Sequence, residues 1–285
     1  MVDNDVLGYT PSRLRLYLYR PTTPYDFSIE SLKFYLEGII GDGLAEEGVE
    51  VRDEFVMNYA VREDDASSRK RFAETMAVCR LEDIDKRIFP AEVNQNAHVF
   101  YAASEMNLLE GVPPGRSKDF MYHGPRLMNT YRGYLPEEER TFEHVHIIFT
   151  DRLFFSWGSE DKRYHARAAM MGFPNLVSMP GIVEAPARPR EYYIKRHLYA
   201  ASGLDLDELE AEFAGQYLIY KDARTLDALK CYSMQILFYS IFLEPFCDDP
   251  GCMLFNAHWQ QEILAQAKSA RLCARHKIML ENWIG

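Results

Sequence analysis

Alternating and helical hydrophobic patterns divide the chain into a mixed first region and a helical last region. Leucines alternate with arginine or tyrosine in RLRLYLYR (13–20), a period of two that predicts a half-buried strand ending before Pro21. Helical spacing over 28–40, a strand pattern over 49–57 and an amphipathic pattern over 66–82 follow. This strand, helix, strand, helix order favours an α/β layer.

The middle of the chain is less regular. Short strands are predicted at 98–102 and 176–179, and the segments 144–149 and 152–157 resemble a strand pair. Residues 111–140 contain several prolines before a charged EEER run. We expect a long surface excursion there, and connections of that length are uncommon unless they are functional.

The pattern turns helical from residue 188 onward. The predicted helices cover 189–201, 205–217, 224–243 and 255–271. The sequence shows no internal repeat and no low-complexity linker. It therefore predicts one compact α/β (α+β) domain over 1–285, with a mixed part over 13–187 and a helical part over 188–285.

Composition narrows the classes of partner. The chain of 285 residues has 43 acidic and 32 basic residues and a net charge of −11, which argues against nucleic-acid and anionic-membrane binding. Its longest near-apolar run, 236–243, is far shorter than the roughly 20 residues that span a bilayer. Five cysteines and an acidic N-terminal sequence without an apolar core predict a cytoplasmic protein without a signal peptide.

Four potential metal ligands stand near the end of the sequence. Cys247 and Cys252 form C-x4-C, and twenty residues later Cys273 and His276 form C-x2-H. Three thiolates and one imidazole suit a closed tetrahedral site that holds one structural Zn²⁺ ion. A helix over 255–271 would return the chain so that the two pairs meet. The alternative interpretation is that these residues are buried thiols and a surface histidine.

This stretch resembles the C-terminal part of the archaemetzincin-type zincins, over about 229–276. In that family the catalytic motif HExxHxxGxxH is followed at once by Cys, then C-x4-C and a distant C-x2-C that hold a second zinc. Three of the four second-site cysteines are present, and His276 stands where the fourth would be. The resemblance implies a zincin-like mixed sheet with helices and a C-terminal zinc knuckle.

The catalytic motif itself is replaced. Its three histidine positions fall on Ile236, Ser240 and Phe246. The position of the general-base glutamate falls on Leu237, and the glycine position falls on Leu243. Isoleucine and phenylalanine cannot bind zinc, and leucine cannot take a proton from water. The resemblance therefore implies a fold that keeps its structural zinc and has lost the catalytic one. The alternative is a plain core helix in an unrelated fold.

Three functions follow from these observations. The leading hypothesis is a catalytically inactive pseudopeptidase that binds a protein or peptide partner, with sheet-edge pairing as the natural mode. The second is a zinc-dependent hydrolase with a relocated site. It would use His144 and His146, which share one face of a strand, with a third ligand from His165, Asp151 or His123. The third is a structural subunit of a larger assembly. The sequence favours no particular oligomeric state.

Overall fold

The structure, a computed structural model, describes residues 10–60, 65–87, 95–110 and 121–285. The strands are β1 (Leu14–Tyr19), β2 (Leu44–Arg52), β3 (Met121–His123), β4 (His144–Thr150), β5 (Leu153–Gly158), β6 (Arg163–Arg167), β7 (Ala169–Met170) and β8 (Asn175–Ser178). The α-helices are α1 (Ile29–Ile40), α2 (Ala66–Ala77), α3 (Gln95–Leu109), α4 (Gly124–Tyr134), α5 (Met179–Glu184), α6 (Arg190–Ser202), α7 (Leu206–Glu212), α8 (Thr225–Phe242), α9 (Gln260–Ser269) and α10 (Ala274–Ile284).

Two sheets organise the first part of the chain. The larger has the strand order β2-β1-β4-β8-β7, in which the first four strands are parallel and β7 is an antiparallel edge. The smaller has the order β3-β5-β6, with β3 parallel and β6 antiparallel to β5. The mixed α/β class predicted from the sequence is therefore confirmed. Its helical C-terminal part carries the cysteine and histidine cluster.

Strand β1 separates two hydrophobic cores. Leu14, Leu16 and Leu18 face the main core, together with side chains of α1 and α8. Tyr17 and Tyr19 face a second core, which includes side chains of α2 and α4. The strand is present as predicted, but it is buried on both faces and not on one. Tyrosine can be buried when its hydroxyl finds a hydrogen-bond partner. The hydroxyl of Tyr19 has such partners.

Helix α8 runs through the main core. It packs against α1, α9 and β4, and it is buried on most sides. Its buried residues are Thr225, Ala228, Leu229, Cys231, Ser233, Met234, Gln235, Ile236, Leu237, Phe238 and Ile241. An apolar surface on nearly every side of a helix predicts burial, and most of α8 is buried as predicted. The helix ends at Leu243, which adopts the left-handed conformation with φ 57°.

Two sequence-based assignments in the middle of the chain were wrong. The strand predicted at 98–102 lies inside α3, because a short apolar run does not distinguish a strand from part of a helix. The predicted surface excursion over 111–140 contains β3 and α4, in which Leu127 and Tyr131 are fully buried. Proline in the first turn of α4 starts a helix and does not mark a loop. Residues 111–120 lie outside the described residues.

The predicted pairing of two strands was also wrong, although both strands exist. Strand β4 lies between β1 and β8 in the larger sheet, whereas β5 belongs to the smaller sheet. Their connection, Asp151-Arg152, lacks the glycine or asparagine that a two-residue hairpin favours. The chain therefore leaves one sheet and enters the other at this point.

Boundaries elsewhere shift by several residues. The strand predicted at 49–57 begins earlier and ends at Arg52, and a short π-helical turn (Val56–Ala60) follows it. The four helices predicted after residue 188 are present as α6, α7, α8 and α9, the second and fourth of them shorter than predicted. Helix α10 was not predicted, since its surface has only a weak apolar face: His276 and Leu280 are its buried residues.

Leu243 gives a first prediction, on stability. A left-handed residue with a Cβ is strained by about 1–2 kcal/mol, and glycine is free of that strain. Leu243 is 55% exposed, so little packing is lost with its side chain. We expect Leu243→Gly to raise the free energy of unfolding by about 1 kcal/mol in urea titrations. Leu243→Ala keeps the Cβ and should change it by less than about 0.5 kcal/mol. Equal stabilities of the glycine and alanine variants would contradict the strain.

Candidate metal centre

Three cysteines and one histidine from two separate segments converge beyond the end of α8. Cys247 and Cys252 lie in the segment between α8 and α9, Cys273 is the N-cap residue of α10, and His276 lies in the first turn of that helix. Their ligand atoms all lie within 4.8 Å of one another. The four residues predicted as ligands are thus brought together. Among the described residues they are the one such group of three or more.

The spacing of the four atoms fits a tetrahedral zinc ion. Zn–S bonds of about 2.3 Å at tetrahedral angles place two sulfurs about 3.8 Å apart. The Sγ atoms of Cys247 and Cys273 are 3.9 Å apart, and Cys252 Sγ lies 3.8 Å from His276 Nδ1. The distance from Cys273 Sγ to His276 Nδ1 is 3.0 Å. A bound ion would lengthen that last distance by about 0.5 Å.

Backbone groups hold the sulfurs in place. The N–H groups of Asp249 and Cys273 point at the sulfurs of Cys247 and Cys252 respectively, each at 3.4 Å. The N–H of Cys252 donates to the carbonyl oxygen of Asp249 at 3.0 Å, and the N–H of Gly251 donates to the Asp249 carboxylate at 2.9 Å. These bonds close a tight turn, and N–H groups directed at sulfur favour the thiolate that a metal requires.

The protonation of the cluster depends on burial. Burial raises the pKa of Cys252 to about 12 and also raises the pKa of Cys247. The pKa of Cys273 is lowered. Burial raises it, but this is outweighed by hydrogen bonds, first among them the one from the N–H of His276. Burial, followed by the charge of Arg275, lowers the pKa of His276 and favours the neutral imidazole that binds metals. Three crowded sulfurs and a neutral imidazole suit a dication.

The positions that the sequence resemblance assigns to the catalytic motif carry no comparable ligands. Ile236 and Leu237 are fully buried in the main core. The hydroxyl of Ser240 donates to the carbonyl oxygen of Ile236 at 2.9 Å, within the helix. Phe246 is 43% exposed. Leu243, at the glycine position, nevertheless makes the left-handed turn that glycine favours. The path of the backbone at this position is therefore one that glycine would adopt without strain.

A small cavity lies beside α8, between the edge strands β6 and β7 and the loop before α9. Its volume is about 150 Å³. Ala166 lines it from β6, Tyr232 and Gln235 line it from α8, and Phe246 and His258 line it from the following segments. This volume is below the roughly 300 Å³ of a typical small-molecule pocket. It has room for one or two side chains of a larger ligand.

His144 and His146 lie on β4, as predicted, but His146 is fully buried. Its Nδ1 lies 3.0 Å from the hydroxyl of Tyr19, and its Nε2 lies 3.2 Å from the carbonyl oxygen of Glu139. The ring stacks on Tyr17 with centroids 4.7 Å apart. Burial lowers the pKa of His146 to about 4, so the ring is neutral at pH 7. Both of its nitrogens already face groups of the protein.

The proposed third ligands lie in other contacts. His165 pairs with Asp161 at 2.8 Å in the smaller sheet. Asp151 accepts a hydrogen bond from the hydroxyl of Tyr25 at 2.6 Å. His123 caps α4, where its Nδ1 accepts a backbone N–H. Among the residues that the structure describes, none of the three joins His144 and His146 in a cluster of metal-ligand spacing.

Sequence reasoning missed a buried charge network around Glu105. This carboxylate is fully buried and accepts hydrogen bonds from the hydroxyl of Tyr122 at 2.6 Å and from the guanidinium of Arg80 at 3.3 Å. Arg152 approaches it at 3.5 Å. The network joins α3 to the smaller sheet, and it satisfies charges that would be costly if unpaired. Its members are 17 to 47 residues from Glu105 in the sequence, so no local motif signals it.

Comparison with known proteins identifies the family. The family described as "Probable metallopeptidase family (DUF6775)" matches residues 12–283, so the chain belongs to it. The resemblance to a metallopeptidase-type family, predicted from the cysteine spacing, is thereby confirmed. None of the curated proteins compared with the chain matches it.

The chain is also similar to one solved structure, the crystal structure of archaemetzincin from Methanopyrus kandleri. The two are 12% identical, the match covers 98% of this chain and 99% of that chain, and the TM-score is 0.43. Sequence identity this low does not transfer an activity from one protein to the other. Within the described ranges, every helix is too short or too polar to cross a bilayer.

Because Leu237 is fully buried, we expect that restoring the glutamate of the catalytic motif at this position alone destabilises the protein. We expect Leu237→Glu to lower the free energy of unfolding by about 4 kcal/mol, since an unpaired carboxyl would enter the main core. Phe246→Glu, at an exposed position, should lower it by about 1 kcal/mol or less. Urea unfolding of both variants measures the difference. A Leu237→Glu protein as stable as the Phe246→Glu protein would mean that position 237 reaches solvent.

Proposed function

We propose that this protein is a catalytically inactive member of its metallopeptidase family that holds one structural Zn²⁺ ion and acts by binding a protein or peptide. One observation carries the proposal. Four well-placed ligands, Cys247, Cys252, Cys273 and His276, converge beside a helix whose catalytic positions are apolar or internally bonded. Four protein ligands leave zinc no open position, which is the arrangement of a structural site.

The ion would fasten the C-terminal helix to the rest of the protein. Helix α10 buries two of its side chains, those of His276 and Leu280. Met279, Trp283 and Ile284 of this helix also pack, partly buried, against the main core. Packing therefore gives the 11-residue helix part of its stability. Metal ligation through Cys273 and His276 would add to that stability, because the binding energy of a structural zinc is partly folding energy.

Metal analysis tests the site directly. We expect close to one zinc per chain in protein purified without chelator. Cys252→Ser should lower the zinc content and lower the Tm by about 5 °C or more. Cys79→Ser is the matched control: Cys79 is also buried, but its sulfur faces the hydroxyl of Thr130 at 3.3 Å, outside the cluster.

The control should keep its zinc and lose little stability, since the new hydroxyl finds a partner in Thr130. A wild-type protein without zinc, whose Tm does not respond to a chelator, would refute the structural metal site. Equal zinc loss in the Cys252 and Cys79 variants would show that the loss is a general effect of unfolding.

The chemistry of peptide hydrolysis supports inactivity. A zinc peptidase needs a metal with an open position and a base close to its bound water. In the resemblance noted above, both come from the helix that is α8 here. Ile236 and Leu237 offer neither a ligand nor a base, and Ser240 is already bonded to the backbone. A neighbouring residue can compensate for a single replacement, but here the whole ligand set is missing along this helix.

The binding function is supported by a cavity that lies next to edge strand β6. Part of this edge is already occupied, since the N–H of Tyr164 donates to the carbonyl oxygen of Ile84 at 2.7 Å. Strand β6 is an edge of the smaller sheet, and Ala166 on this strand also lines the cavity. Edge strands offer backbone groups to an added strand, while side pockets select alternate side chains of the bound segment. An extended peptide beside the Ala166 end of β6 could place one side chain in the cavity beside Tyr232 and Gln235.

We therefore expect the protein to bind unstructured peptides without cutting them. A library of extended peptides is incubated with the zinc-loaded protein, bound peptides are recovered with it by size exclusion, and mass spectrometry identifies them and any fragments. We expect intact peptides to be retained. Ala257→Phe, which would fill the cavity from its lining, should lower their affinity about tenfold or more.

The experiment also includes samples with added zinc and samples with a chelator. It further includes a variant in which His144 and His146 are both changed to alanine. Chelator-sensitive fragments would overturn inactivity. If the double variant also lost that cleavage, a relocated active site at these histidines would replace the proposal of an inactive protein. Retained peptides whose affinity is the same in the Ala257→Phe protein would place their binding elsewhere than the cavity.

A separate surface favours the alternative of a subunit in a larger assembly. Helix α6 exposes Ile194 and Leu198, one turn apart, with 54% and 60% of their surfaces accessible, and Tyr192 is its buried residue. Neighbouring exposed apolar side chains on one helix face are typical of contact surfaces. In that alternative Leu198→Asp should reduce the mass measured by sedimentation velocity. A monomer in both proteins would count against self-assembly.

The compartment that we propose is the cytoplasm. All five cysteines are free thiols, including the pair of sulfurs 3.9 Å apart in the cluster. Free thiols and thiolate ligands persist in a reducing compartment.

A further inference from the structure

The imidazole of His276 has one orientation that suits metal binding. Its Nδ1 faces the sulfurs of Cys273 and Cys252, at 3.0 and 3.8 Å. The ring of Phe238 meets it edge to face, with centroids 5.4 Å apart. Its Nε2 therefore points away from the cluster, where it is buried and has no hydrogen-bond partner among the residues that the structure describes. Nδ1 is the ligand atom, and Nε2 is the unpaired one.

Metal binding through Nδ1 puts the single proton of a neutral imidazole on Nε2. A buried N–H needs an acceptor, because it has given up its bond to water. The carboxylate that faces it belongs to Glu244, whose Oε1 lies 3.8 Å from Nε2. A hydrogen bond of about 2.9 Å would require this carboxylate and the ring to approach by about 1 Å.

Two features hold Glu244 at this place. The left-handed conformation of Leu243 reverses the chain after α8, and the N–H of Glu244 bonds back to the carbonyl oxygen of Phe238 at 3.4 Å. The guanidinium of Arg275, next to His276 in the chain, bonds to the Glu244 carboxylate. The carboxylate is thus fixed from both segments that contribute ligands, although its side chain is 35% exposed.

We propose that Glu244 is a positioning residue of the zinc site: it accepts the Nε2 proton of His276 and so fixes the tautomer and the direction of the Nδ1 lone pair. The inference rests on the structural zinc proposed above. Carboxylates behind a ligating histidine also raise its basicity and typically change metal affinity by about 10- to 100-fold. A cysteine at position 276, as in the family that the sequence resembles, would need no such acceptor.

The affinity for zinc tests this role. Apo protein is titrated with zinc in competition with a chromophoric chelator, and the folded fraction is monitored by circular dichroism. We expect Glu244→Ala to weaken zinc binding about tenfold or more, and Glu244→Gln, which keeps an acceptor oxygen, to weaken it less. Glu281→Ala is the control, because Glu281 pairs with Lys277 on the same helix at 3.7 Å, outside the site. It should bind zinc like the wild type.

A cysteine background separates positioning from a general effect on the fold. In His276→Cys the fourth ligand has no second nitrogen, so adding Glu244→Ala should leave the zinc affinity within about twofold. Equal weakening by Glu244→Ala in the histidine and cysteine backgrounds would overturn the role, and so would wild-type affinity in the single variant. A wild-type protein that binds no zinc would instead refute the metal site itself. The two failures are therefore distinguishable.

Discussion

The burial of α8 is the constraint on which the rest of the structure depends. An 18-residue helix with eleven buried positions must be covered on several sides, and α1, α9 and the central strands supply that cover. The main core is built around it, and it includes residues from β1 to α10. Each buried leucine or isoleucine contributes about 1.5–3 kcal/mol relative to exposure, so this helix dominates the stability of the C-terminal part.

The same burial explains why the residues on α8 are apolar whereas the segment beyond it carries metal ligands. Histidine and glutamate on the buried face of α8 would have to be paired or bound to metal, and otherwise they would destabilise the core. Ile236 and Leu237 require neither, and they fill the core instead. The cluster beyond the helix is different. There the sulfurs of Cys247, Cys252 and Cys273 crowd together, and their placement is favourable when a cation is bound.

The sequence predicted features that depend on neighbouring residues. The C-x4-C and C-x2-H pairs and the all-round apolar surface of α8 are local patterns, and the structure places both as expected. The pairing of strands could not be predicted from local patterns, since β4 pairs with β1, more than 120 residues away. Helix α4 was missed because its proline was taken for a loop signal. Glu244 and His276 are 32 residues apart in the sequence, and no spacing rule predicts their contact.

Leu243 links the end of α8 to the cysteine and histidine cluster. Its left-handed conformation is costly for a residue with a Cβ, yet the chain keeps the turn. The turn carries Glu244 back toward the ligand segment, where its carboxylate contacts Arg275 and faces His276. Local strain of this size persists when the surrounding contacts determine the conformation. The left-handed turn at Leu243 thus directs the chain after α8 so that the Glu244 carboxylate faces His276.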